Sequence, residues 1–249
     1  MFPYRDDNPT FLTPFVTVGM IVANVLAWGW AQGFGMEPAL STSVCSLGLI
    51  PGELLGLLPA GTEIPAGHGR VCLVGAVPAW HTPLTSMFLH GGWFHLIGNM
   101  WFLWVFGNNV EDSMGHGRFV AFYLLCGLAA AAVQVATDPG SAIPMVGASG
   151  AISGVMGAYV LLYPRVRVRI IVFLGIIFFR TGLPAWAMLG YWFLLQLAGA
   201  SMAPAGEGGV AFWAHAGGFV AGLALILVFR DPKLIARRNR KYLFVQGLG

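Results

Sequence analysis

Six stretches of this chain are long enough to cross a bilayer and almost free of charge: residues 11–33, 93–110, 117–137, 146–163, 184–201 and 210–229, with Arg118 at the edge of the third as the exception. A transmembrane helix needs about 20 mostly apolar residues to span the hydrocarbon core, so each stretch meets that length. Composition excludes the alternatives. Charged residues make up 9% of 249, against about 25% in an ordinary soluble domain, and mean hydropathy is +0.74. A water-soluble globule of this size would have too few charges to cover its surface. A cytosolic enzyme, a nucleic-acid binder and a disordered chain are thereby ruled out, and a six-helix membrane bundle is expected. It forms one domain over residues 1–249, with a core of about 11–229 and a basic tail over 230–249.

The run 170–179 is apolar but too short to span. Arg165, Arg167 and Arg169 precede it and Arg180 follows, so it is expected to enter and leave the membrane on one side, as a re-entrant or interfacial segment in an otherwise all-α fold. Basic residues favour the cytoplasmic side. With both termini inside, that side receives Arg5, Arg118, Arg165, Arg167, Arg169, Arg180, Arg230, Lys233, Arg237, Arg238, Arg240 and Lys241, and the outer side receives Arg70. The first stretch is too long for a cleaved leader and lacks a small-residue cleavage site. In the outer loop 34–92, Cys45 and Cys72 either pair in an oxidising compartment or remain separate small apolar residues.

Polar groups inside a span are costly and mark candidate sites. Three spans that run from outside to inside open with such groups: His90, His95 and Asn99 on the second, Gly147-Ala148-Ser149-Gly150 on the fourth, and Ala214-His215 on the sixth. All lie at one depth, in the outer third of the membrane. Taken singly, a serine among glycines eases helix packing, and an intramembrane His or Asn is interhelical glue. Taken together they are chemically complementary. A hydroxyl becomes a nucleophile when an imidazole takes its proton, and the oxyanion formed needs donors aimed at it. His95 and Asn99 share a helix face, while Ser149 sits in a first helical turn with free N–H groups. The ten acidic residues all fall in loops or at span ends, so a Ser-His dyad is expected rather than a triad. The same distribution excludes an intramembrane aspartyl protease. The lack of a His-Glu-x-x-His helix excludes a metalloprotease, and no metal or cofactor is expected.

These motifs, in order over residues 84–229, resemble the rhomboid family of intramembrane serine proteases in its basic six-span form. The resemblance rests on His90-x4-His95-x3-Asn99, Gly147-Ala148-Ser149-Gly150, and Ala214-His215 followed by Gly218-x3-Gly222. It implies Ser149 as nucleophile, His215 as general base, and His95, Asn99 and the Ser149 N–H as the oxyanion hole, with His90 structural. Gly218 and Gly222 would let the fourth and sixth spans approach. The implied substrates are single-pass membrane proteins in the lipid bilayer, and the implied location is a bacterial inner membrane with the site opening outward. The sequence departs from the family at His81, where many members carry arginine after Trp80. It departs again at Ser153, where some carry an aromatic that stacks on the catalytic histidine; a hydrogen bond from Ser153 is the candidate for orienting His215. The fifth span, with Trp192, Phe193 and one central polar residue, Gln196, is expected to pack loosely and, with loop 202–209, to gate substrate entry. Two other readings compete: an inactive relative that binds membrane clients, and a small channel or transporter. Inactive relatives lose the serine or the histidine. Transporters show internal repeats and acidic residues within spans.

Overall fold

The apolar stretches coil into helices whose faces are set by residue size. The computed structural model describes residues 2–67, 70–174, 177–202 and 210–245. The helices are α1 (Phe15–Trp30), α2 (Ala39–Leu47), α3 (Pro51–Leu54), α4 (Thr82–Thr85), α5 (Trp93–Met114), α6 (His116–Thr137), α7 (Ser149–Leu162), α8 (Ala185–Met202), α9 (Phe212–Phe229) and α10 (Pro232–Val245). Of the described helices, α6 and α9 are long and apolar enough to cross a membrane by length and composition alone, and α1 and α7 are shorter apolar helices.

At the centre lies α7, buried continuously from Gly150 to Tyr159. Neighbours α5, α6, α8 and α9 surround it. The burial pattern of α6 shows how a span finds its inner face: Phe119, Phe122, Tyr123, Cys126, Gly127, Ala130 and Ala131 recur every three or four residues as one stripe. Toward α7 that stripe tapers from rings to small side chains. Small residues also bring α7 and α9 together: a Cβ at Gly218 would overlap the Gly150 carbonyl, and one at Gly222 the Gly154 carbonyl. Such close backbone approach gives van der Waals contact along both helices. In contrast, α8 buries only Ala185, Met188, Leu189 and Gln196 of its 18 residues. It leans on α9 through Phe193 and Phe219, stacked with ring centroids 4.7 Å apart.

The segment 170–179, expected to be re-entrant or interfacial within an all-α fold, belongs to a pair of strands, so the fold is not all-α. Strands β4 (Arg167–Leu174) and β5 (Ile177–Pro184) form an antiparallel hairpin, and β1 (Phe2–Asp6) adds to the outer side of β4. A second hairpin, β2 (Glu63–Gly67) with β3 (Arg70–Leu73), lies in the long loop. Cys45 on α2 pairs with Cys72 on β3, which settles the alternative left open above. The two ends of the bundle differ in character. At the end holding the N-terminus, Glu111 accepts hydrogen bonds from the N–H groups of Val16 (3.0 Å) and Thr17 (2.8 Å) and from Thr17 Oγ1 (2.7 Å). This carboxylate therefore caps α1, whose first N–H groups have no helical partner. Asp112 accepts from the N–H groups of Phe11 and Leu12, in the segment just before α1, and faces Arg238 on α10. The basic hairpin and α10 share this end, and the disulfide-linked loop occupies the opposite one.

Candidate active site

The site forms where a strained connection delivers the start of α7 beside the start of α9. Met145 and Leu49 exchange backbone hydrogen bonds (2.7 and 3.0 Å), and Gly147 N–H donates to the Ser86 carbonyl at 2.9 Å. These contacts pin the chain just before Ser149. Gly147 has φ +130°, a conformation that disfavours a side chain, and a Cβ there would lie 2.8 Å from His95 Nε2. Glycine thus serves both the turn and the close approach of His95.

Ser149 opens α7, and its Oγ lies 2.7 Å from Nε2 of His215 on α9. The Ala214 N–H, next to His215, donates to Gln134 Oε1 on α6 at 3.3 Å, which ties the start of α9 to its neighbour. His95 and Asn99, one turn apart on α5, line the same cavity as Ser149 and His215. The Gly91 N–H donates to His95 Nδ1 at 3.2 Å. A nitrogen that accepts carries no proton, so a neutral His95 bears its hydrogen on Nε2, the nitrogen nearest Gly147. Asn99 is buried, and its Nδ2 has no hydrogen-bond partner among the described residues. Because buried donors are ordinarily paired, an unpaired amide bordering a cavity is a donor awaiting an acceptor. The Ser149 N–H belongs to the first turn of α7 and has no intrahelical acceptor. The cavity, about 860 Å³, runs from these residues to the loop residues Asp138 and Ser141.

All four candidate residues, Ser149, His215, His95 and Asn99, therefore meet in one place. His90 is fully buried beside them, with its ring edge-on to His95 at 5.1 Å, while its backbone is clasped at both ends by Gln32. Ser153 does not orient His215. Its Oγ donates back to the Ser149 carbonyl one turn earlier, at 2.6 Å, the usual bond of a serine inside a helix. The partner of His215 Nδ1 is Gln196 Oε1 on α8, at 2.8 Å. Trp192, a turn before it, presents its ring to the imidazole with centroids 6.0 Å apart. A lone glutamine in an apolar helix was the available signal, but its target lay on another helix. His81, at the other departure, lies 3.2 Å from the Ser46 carbonyl through Nε2. Among the described residues no cluster of His, Cys, Asp and Glu converges as a metal ion requires.

A family model described as Rhomboid domain matches residues 78–232, which hold every residue of this site. Rhomboid-like protein 11, chloroplastic, of Arabidopsis thaliana is 39% identical over 85 residues, covering 34% of this chain and 30% of its own. The presenilin-associated rhomboid-like protein, mitochondrial, of Mus musculus is 39% identical over 103 residues, covering 40% and 26%. Rhomboid protease GluP of Bacillus subtilis is 42% identical over 84 residues, covering 34% and 16%. The matched region thus spans less than a third of each relative.

Proposed function

The chain belongs to the rhomboid family of integral membrane proteins, and on that premise we propose that it is a serine endopeptidase that hydrolyses peptide bonds in or near transmembrane helices of other membrane proteins. The observation that carries this reading is the 2.7 Å contact between Ser149 Oγ and His215 Nε2, at a cavity bordered by the unpaired Asn99 amide. In the proposed reaction, His215 Nε2 takes the Ser149 proton as Oγ bonds to the scissile carbonyl carbon. The carbonyl oxygen becomes an oxyanion, which accepts hydrogen bonds from Asn99 Nδ2, His95 Nε2 and the Ser149 N–H. His215 then passes its proton to the leaving nitrogen, the C–N bond breaks, and an ester to Ser149 remains. Water repeats the sequence on the ester, giving up a proton to His215 and releasing the acid and free Ser149. Donors held in place in a site of low dielectric stabilise the oxyanion more than water does.

In this reading six helices, α1, α5, α6, α7, α8 and α9, cross the membrane, the β4–β5 hairpin rests at its inner interface, and both termini are cytoplasmic. The site opens to the outer face, where the cavity admits the water that lipid alone would exclude. The grouping of basic residues at the end away from the cavity supports this orientation, as does the Cys45–Cys72 pair at the cavity end. Helix α8, which buries four of its 18 residues beside the cavity, is the proposed entry gate for substrate. The stretch 203–209, expected to join it in that role, lies outside the described residues. The substrates are single-pass membrane proteins with helix-breaking residues near the cut, because a peptide bond engaged in a helix is shielded from attack. The test is cleavage of such a substrate in proteoliposomes: the unaltered chain cuts it, and Ser149→Ala and His215→Ala each leave it whole. Cleavage at full rate by Ser149→Ala would overturn the proposal.

A further inference from the structure

Resting on the protease reading above, we propose that Gln196 is a positioning residue: from α8 it holds His215 in the tautomer that can accept the Ser149 proton, so that the seating of α8 against α9 makes or breaks the dyad. A neutral imidazole carries one N–H. For Nε2 to accept from Ser149, that hydrogen must sit on Nδ1, where it needs an acceptor. Gln196 Oε1 supplies one at 2.8 Å. The amide cannot present its other end as easily, because Gln196 Nε2 reaches toward the Trp192 carbonyl one turn back, at 3.5 Å. Oxygen therefore faces the imidazole. Otherwise α8 offers His215 the ring of Trp192, which accepts a proton poorly. Without Gln196, the hydrogen would move to Nε2, the imidazole would donate to Ser149, and the base would be lost.

The chemistry balances with Gln196 unchanged. The Ser149 proton moves to Nε2, the hydrogen on Nδ1 stays there and donates to the Gln196 oxygen throughout, and the Nε2 proton leaves on the departing nitrogen. A neutral amide orients the imidazolium without adding the charge a carboxylate would supply. The location gives the arrangement its second property. Gln196 is one of four buried residues on α8 and is held there by rings that lean on α9: Phe193 at 4.7 Å and Trp192 at 6.1 Å from Phe219. A displacement of α8 therefore removes the acceptor from His215, and the dyad is assembled only while α8 is seated.

The experiment uses the full chain in proteoliposomes with two substrates, a single-pass membrane protein and a short water-soluble peptide that needs no gate. Gln196→Leu removes the acceptor, and Gln196→Met does so with a chain of the same length should the first variant misfold. Each is expected to lower kcat about 10- to 100-fold on both substrates with KM little changed. Gln196→Glu restores an oxygen at the same position and brings kcat back to within a few-fold of the unaltered chain. Nitrogen NMR of ring-labelled histidine reads the tautomer directly: the His215 hydrogen is on Nδ1 in the unaltered chain and moves to Nε2 in Gln196→Leu. Unchanged kcat in Gln196→Leu and Gln196→Met would overturn the proposal, as would lost activity with the tautomer unmoved, or a Glu variant no better than Leu. Ser149→Ala is assayed alongside. If it still cleaves, the protease reading itself fails; if it is dead while Gln196→Leu is fully active, only the role of Gln196 fails.

Discussion

Gly218→Ala adds one methyl group where α7 and α9 touch, three residues from His215 and opposite the residue after Ser149. Its Cβ would lie 2.9 Å from the Gly150 carbonyl carbon and nearer still to the oxygen. Non-bonded carbons settle at about 3.5–4.0 Å, and a backbone carbonyl within a helix cannot rotate aside, so the helices must part by about 1 Å. Overpacking of this kind costs about 1–3 kcal/mol. Replacing glycine in a helix returns about 1 kcal/mol of propensity, which leaves a net loss of about 0–2 kcal/mol. The dyad responds more steeply. Its 2.7 Å contact would stretch beyond the ~3.2 Å limit of a useful nucleophile–base bond, and a misplacement of about 1 Å can cost about 100-fold in rate. Gly218→Ala should therefore fold with a modestly lower unfolding midpoint and cleave about 100-fold more slowly. Gly19→Ala on α1, where a Cβ meets nothing within 4 Å, serves as the control: it should leave cleavage unchanged and raise the unfolding midpoint slightly through helix propensity. Unfolding followed by circular dichroism and cleavage of a soluble peptide give the two readings. A Gly218→Ala protein with full activity would refute the claim that contact between these glycines sets the dyad distance.

Asn99→Ala removes one oxyanion donor and should lower kcat about 100- to 1,000-fold with KM nearly constant; peptide hydrolysis kinetics check this, and an unchanged kcat would remove Asn99 from the oxyanion hole. Burial pushes the Asp6 carboxyl up to about 6, against the pull of hydrogen bonds that include one from Tyr159. A raised carboxyl binds its proton more tightly in the folded chain, so this contribution to stability is present at low pH and falls as pH rises from about 4 to about 6. Asp6→Asn should flatten the unfolding midpoint across that window, and a midpoint that rises there in the unaltered chain and in the variant alike would contradict the assignment. For orientation, a cysteine placed at Asp138 should react with an impermeant thiol reagent added outside, and one at Arg167 should not; the reverse pattern would invert the topology.

The helices and the meeting of Ser149 with His215 were legible because both depend on local pattern. Long apolar runs dictate helices, and three polar motifs at one depth leave few ways to arrange them. What the sequence concealed depends on pairing between distant segments. Residues 170–179 carry apolar side chains between arginines, a pattern that suits an interfacial helix or a hairpin equally. Its two strands pair locally with each other, and the third strand, β1, comes from the first six residues. Glu111 and Asp112 read as acids at the end of a span, yet both are buried: Glu111 caps the start of α1, and Asp112 holds the N–H groups of Phe11 and Leu12 just before it, contacts across 94 to 101 residues of chain. Ser153 was the local candidate for orienting His215. Its helix offered a nearer acceptor one turn back, which left the imidazole to a glutamine on α8 that no spacing rule connects to it.

The central claim is that His215 activates Ser149 as a nucleophile, and a fluorophosphonate probe tests it with no need to know the substrate. The folded chain is treated with the probe, digested, and the adduct located by mass spectrometry. One adduct is expected, on Ser149, absent from Ser149→Ala and reduced to background in His215→Ala although Ser149 is still present. A chain that takes no label, or labelling of Ser149 that is undiminished in His215→Ala, would contradict the claim.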